Sequence, residues 1–171
     1  MTSVTSPSSA FELRPATARD IPTILRCIQG LAEYERLAHE CVATETLLEE
    51  SLFGPSPAAE VILAFAGETP AGFALWFRSF STFLARPGIY LEDLFVFPEF
   101  RGQGLGRLLL ASLATTALER DYGRLEWAVL DWNADAIRFY QSLGARAMDE
   151  WTTNRVTGAA LVALAGREPT P

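Results

Sequence analysis

Residues 101–106 read Arg-Gly-Gln-Gly-Leu-Gly, three glycines alternating over five positions. They lie between an apolar run, Ile89–Phe97, stopped by Pro98, and a stripe of Leu105, Leu108, Leu109 and Leu113 whose spacing predicts a helix to about Arg120. Glycine adopts backbone conformations closed to other residues and lets a ligand approach the main chain closely. The unpaired N–H groups of a first helical turn, with the helix dipole, then form an anion site suited to a pyrophosphate. Arg101 adds a positive charge beside it. Two common pyrophosphate loops do not fit. A Walker A loop ends Gly-Lys-Ser/Thr, where this chain has Gly106-Arg107-Leu108. A dinucleotide fold places G-x-G-x-x-G after its first strand, whereas the spacing here is G-x-G-x-G near residue 102. An ordinary glycine turn and a nucleotide-phosphate site remain as alternatives at this point.

Around this turn the pattern predicts a short strand over Phe11–Arg14 ending at Pro15, then a Thr17/Asp20 capping box. A helix follows, carrying Ile21, Ile24, Leu25, Ile28 and Leu31, and a second covers Glu45–Leu52. Glu60–Ala66 and Ala71–Phe77 read as a hairpin about Gly67–Pro70. Leu125–Leu130 reads as a fifth strand. Asn133 then caps a helix whose inner face is Ala136, Phe139, Tyr140 and Leu143, closed by Gly144. One or two short strands are expected over Ala147–Val156. The expected fold is an α/β domain, residues 11–171, behind a Ser/Thr-rich leader, residues 1–10, that lacks the pattern of a secretory signal.

A net charge of −7 argues against a nucleic-acid partner and suits a cationic ligand. No apolar run approaches the roughly 18 residues of a membrane span. Cys27 and Cys41 make neither a disulfide framework nor a metal cluster, which points to a reducing, cytoplasmic setting, with Cys27 on a buried helix face. A single histidine, His39, leaves no room for histidine-rich zinc sites and little for a Ser-His-Asp triad. No metal is expected.

Glu92 and Asp93 interrupt an otherwise apolar strand, where burying a carboxylate costs several kcal/mol, roughly, unless it is paired or functional. Strand alternation would turn the two to opposite faces and so to different sites. Either both lie at a solvated strand end, or Glu92 binds an amine or takes its proton. An alkylammonium, with a pKa of about 10.4, must lose a proton before it attacks at neutral pH. Tyr140 by position alone is a core aromatic.

The glycine loop resembles the Arg/Gln-x-x-Gly-x-Gly/Ala loop of the GNAT superfamily of N-acetyltransferases. Tyr90-Leu91-Glu92-Asp93-Leu94-Phe95-Val96, Asp131-Trp132-Asn133, Phe139-Tyr140-x-x-Leu143-Gly144-Ala145 and Phe11–Thr17 are similar to the diamine (spermidine/spermine) N-acetyltransferases and their bacterial relatives. The likeness spans roughly residues 11–165. It implies a largely antiparallel sheet of about six to seven strands with about four helices, and acetyl-CoA as co-substrate. It further implies cofactor contacts from Leu94, Phe95, Val96, Arg101, Gly102, Gln103, Gly104, Leu105, Gly106, Arg107, Asn133, Ala136 and Tyr140.

By the same resemblance Glu92 is the base and Tyr140 the acid that protonates the departing thiolate, while backbone N–H groups near Leu94–Val96 polarise the thioester. Tyr34, Glu35, Glu92, Asp93 and Glu150, with Asp149 beside it, are the candidates for contacting a small cationic amine. Residues 80–84, Phe-Ser-Thr-Phe-Leu, lack the acidic residue the polyamine enzymes carry there, so a shorter amine or a lysine-like amino acid is an equal expectation. A homodimer is implied. A protein-lysine or N-terminal acetyltransferase and a non-catalytic acetyl-CoA sensor are the competing functions.

Overall fold

The computed structural model describes residues 10–167, so the expected leader lies, Ala10 apart, outside the described residues. These fall into two compact units, one ending at Ala128 and one beginning at Val129. The first contains β1 (Glu12–Pro15), α1 (Ile21–Tyr34), α2 (Glu45–Phe53), β2 (Glu60–Ala66), β3 (Thr69–Ser81), β4 (Arg86–Val96), α3 (Leu105–Glu119) and β5 (Leu125–Trp127). Its sheet runs β1-β2-β3-β4-β5. All pairs are antiparallel except β4 with β5, a parallel pair whose crossover is α3.

Local chemistry sets the start of α1. The Thr17 N–H and hydroxyl both donate to Asp20 Oδ2 at 2.8 Å, the expected capping box. Arg14 on β1 grips the same carboxylate through both amino groups, at 2.9 and 2.7 Å, so one aspartate ties strand to helix. Ile21, Ile24 and Cys27 then turn inward with Leu48 and Leu52 of α2 onto Val61, Leu63, Phe73, Leu75 and Phe95 of the sheet. Leu105, Leu109, Leu110 and Leu113 bury the inner face of α3. Each such side chain contributes about 1.5–3 kcal/mol by leaving water.

The β3–β4 ladder carries one irregularity, and it falls at the site. Leu75 pairs with Asp93 and Trp76 with Leu91, so Glu92 is the extra residue of a β-bulge. Beyond the bulge the two sides of β4 exchange. Leu91, opposite Trp76, is fully buried on one face, and Asp93, opposite Leu75, joins the face covered by α1. The bulge also ends β5, which pairs only with Ile89–Leu91 and stops at Trp127 rather than continuing to Leu130 as expected.

The second unit holds α4 (Ala134–Ser142) and α5 (Gly158–Leu164). Asn133 caps α4 as expected, its Oδ1 accepting the Ala136 N–H at 3.2 Å, and Gly144 follows at φ 87°. The strands expected over Ala147–Val156 are absent: residues 146–157 are exposed and irregular, and α5 follows unforeseen. Asp149, Glu150, Asn154 and Arg155 break any apolar alternation there, while Gly-Ala-Ala-Leu-Val-Ala-Leu favours a helix. Among the described residues the sheet therefore has five strands, against about six to seven expected, and there are five α-helices, against about four. No helix among the described residues is long and apolar enough to cross a membrane.

Candidate active site

Where β5 stops, β4 continues. From Glu92 to Val96 no strand of the first unit pairs with its outer edge, and peptide groups on an edge of this kind can bond a ligand. This edge holds Leu94, Phe95 and Val96, the residues expected to contribute backbone groups. It can hydrogen-bond an amide-bearing arm and aim N–H groups at a carbonyl oxygen.

Beyond Val96 the chain enters the glycine loop. Gly102 and Gly104 have φ of 74° and 83°, where an L side chain costs roughly 1–2 kcal/mol. Gly104 is the N-cap of α3 and Leu105, fully buried, anchors its first turn. Leu108 is the first to close the helical ladder, onto the Gly104 carbonyl at 3.1 Å. The N–H groups of Leu105, Gly106 and Arg107 precede it in a turn with no side-chain cap and no acidic residue. N–H groups presented in this way can cradle an anion. Gln103 turns its amide back to the Glu99 carbonyl at 3.0 Å, so its side chain braces the loop. Arg101 is fixed at Nε by the Val96 carbonyl, 2.9 Å away, which ties the loop to the open edge.

Asp93 on the α1 face and Glu35 at the end of α1 bring two acids to the bulge. Asp93 is mostly buried, and burial first, then the charges of Glu92 and Glu35, pushes its carboxyl up to about 6. Glu35, the residue that ends α1, is raised by burial. Tyr90, stacked on Phe77 at 5.1 Å, is raised by burial and by Glu92 and Glu126. Glu92 itself is exposed. The bulge interrupts the alternation that would set Glu92 and Asp93 on opposite faces, and the charges of Glu92 and Glu35 both act on Asp93. Such a field attracts a cation, and a bound ammonium would relieve the repulsion that raises Asp93.

A cleft of about 470 Å³ opens between α1, the end of β4 and Arg101. Phe95 and Phe97 form its apolar wall, and Arg26, Glu33, Tyr34 and Arg101 bring charge and a ring to it. The helix can lie this close because residue 30 is glycine: a Cβ there would sit 2.7 Å from Phe95 Cζ. Arg26, Gly30 and Phe97 escaped the sequence reading. A glycine inside a helical stripe was the signal that could have found the contact.

In the second unit, Ala136, Phe139, Tyr140 and Leu143 form the less exposed face of α4, and Phe139 and Tyr140 lie 5.4 Å apart. Asn133 stands at its N-terminus, while Asp149 and Glu150 are exposed in the irregular segment.

A strand edge without a first-unit partner leads here to a helix turn with no side-chain cap, an arrangement that can hold an anionic ligand with an amide-bearing arm. Residues 28–145 match the model of the Acetyltransferase (GNAT) family, and the chain belongs to that family. It is similar to a mouse thialysine N-epsilon-acetyltransferase, 37% identical over 93% of this chain and 99% of the relative. It is likewise similar to an L-ornithine N5-acetyltransferase of Arabidopsis thaliana, 34% identical over 95% and 91%. Among solved structures, an integron cassette protein from the mobile metagenome of V. cholerae superposes with a TM-score of 0.78 at 27% identity, covering 92% of this chain and 99% of the other. The chain is an acetyl-CoA-dependent N-acetyltransferase, and the open edge and cradle fit that co-substrate.

Proposed function

We infer that the acceptor is a primary amine on a small cationic molecule, either a diamine or an amino acid with an aminoalkyl side chain. The observation that carries this is the shared field of Glu35, Glu92 and Asp93 beside the open β4 edge. Thialysine and ornithine, the acceptors that name the two relatives above, favour the amino acid. On this reading Asp93 and Glu35 hold the ammonium and exposed Glu92 takes its proton, directly or through water. The neutral nitrogen then attacks the thioester carbonyl carbon, the C–N bond forms, and N–H groups of Leu94–Val96 receive the charge gathering on oxygen. The C–S bond breaks, Tyr140 gives its proton to the departing sulfur, and the nitrogen sheds its second proton to leave a neutral amide.

The backbone of Gly102–Arg107 with Arg101 cradles the pyrophosphate, and Asn133 and Ala136 contact the pantetheine arm. Residues 11–171 act as one acetyltransferase domain, a reading supported by the span of the family match across residues 28–145, and free Cys27 and Cys41 support a reducing, cytoplasmic setting. Exposed Phe80, Phe83 and Leu84 at the tip of the β3–β4 hairpin supply apolar surface of the kind a homodimer buries.

The experiment is release of CoA thiol from acetyl-CoA with L-ornithine, a thialysine-like amino acid, putrescine, spermidine and a lysine peptide as acceptors. Turnover with the amino acids or the short diamine is the expected result. Turnover with the peptide alone would overturn the reading in favour of a protein acceptor.

A further inference from the structure

Tyr34 closes α1, next to Glu35, and its place in the sequence suits a contact with the acceptor. Its geometry points elsewhere. The Arg101 guanidinium lies 4.8 Å from the centre of the Tyr34 ring and 5.6 Å from that of Phe95. Its Nε is spent on the Val96 carbonyl at 2.9 Å, which leaves the two terminal amino groups to a ligand. Phe95 is buried, with its ring packed close against Gly30 of α1. Tyr34, by contrast, is 39% exposed, and its ring lines the cleft beside the cation. An arginine side chain loses much rotamer freedom when it is held for an anion, and a ring that holds it beforehand removes that cost from binding.

We propose that Tyr34 is a positioning residue for the cofactor rather than a contact for the amine: its ring clamps Arg101 against Phe95 so that the guanidinium fork faces the pyrophosphate of acetyl-CoA. The inference rests on the reading of Arg101 as part of the cofactor cradle. The last turn of α1 thereby serves both reactants, with Tyr34 acting on the cofactor loop and Glu35 on the acidic field. What matters in Tyr34 is the face of the ring, so phenylalanine replaces it and leucine does not.

A double-mutant cycle tests this, with CoA affinity read by calorimetry for wild type, Y34F, Y34L, R101Q and Y34L/R101Q, and KM for both substrates read alongside. S-acetylpantetheine, which lacks the pyrophosphate, is the control donor. Y34L is expected to weaken CoA roughly three- to ten-fold, with most of the affinity restored in Y34F. The loss should vanish in the R101Q background, and KM for S-acetylpantetheine and for the amine should stay put. If R101Q weakens CoA but Y34L costs as much with Arg101 gone, or acts on the amine KM, Tyr34 is not a clamp and the cradle reading stands. Equal losses in Y34F and Y34L would assign the role to the hydroxyl and also overturn the proposal. Should R101Q leave CoA binding intact, the cradle role of Arg101 fails first, and the clamp with it.

Discussion

Asp93 is the residue at which stability and function conflict. Its carboxyl, raised from the ordinary value of roughly 3.9 to about 6, holds a proton in the folded chain between those limits that the unfolded chain has already lost. Stability therefore falls as pH rises through that window, and the cost stands in full above it. D93N removes the buried charge. At pH 7.5 it should stabilise the fold by roughly 1–2 kcal/mol, seen as a raised Tm, with little gain at pH 4. The same change should raise KM for the amine about ten-fold, since it deletes half of the ammonium's setting. An unchanged Tm at both pH values would mean that the carboxylate is solvated. On the proposed mechanism Y140F, which lacks the phenolic proton, should lower kcat about 100-fold or more with KM for acetyl-CoA nearly unchanged, measured by steady-state kinetics. Tyr140 also illustrates what a sequence can hold. Its helical stripe marks a core aromatic, and only the likeness to a family suggested chemistry.

At the scale of elements, the α1–β4 contact and the glycine loop give opposite lessons. Alanine in a helix interior ordinarily stabilises by roughly 0.5–1 kcal/mol over glycine. G30A should do the reverse, costing about 1–3 kcal/mol in urea unfolding, because its Cβ meets the ring of Phe95. A stabilised G30A would show that the ring moves aside freely. G104A should cost roughly 1–2 kcal/mol through its left-handed backbone and also weaken CoA, since the first turn of α3 would no longer be presented in the same way. The loop and the caps at Thr17 and Asn133 were legible because each is a local pattern of residue types with a local physical cause. The bulge at Glu92 was not legible. Alternation along β4 reads straight through it, and the extra residue is fixed by register against Leu75 and Trp76, which a single strand does not encode. The same bulge lies where β5 ends, at Trp127 rather than at the expected Leu130.

For the whole molecule, the element order as far as α4 was readable because apolar periodicity, turns and caps agree at each step. Ala147–Val156 broke that agreement, and there the expected strands gave way to an exposed segment and a helix. The mixed sheet, the β4 edge and the first turn of α3 are the parts from which the proposed acetyl-CoA site is built, and the carboxylate field at the bulge is what points this chain towards an amine. The most direct measurement is kcat/KM for L-ornithine across pH 6–10 in wild type and E92Q, with acetyl-CoA saturating. With Glu92 as the proton acceptor, E92Q falls about 100-fold or more at neutral pH and recovers as the free amine itself becomes abundant near pH 10. A glutamine variant that matches wild type across the whole range would contradict the site at the bulge.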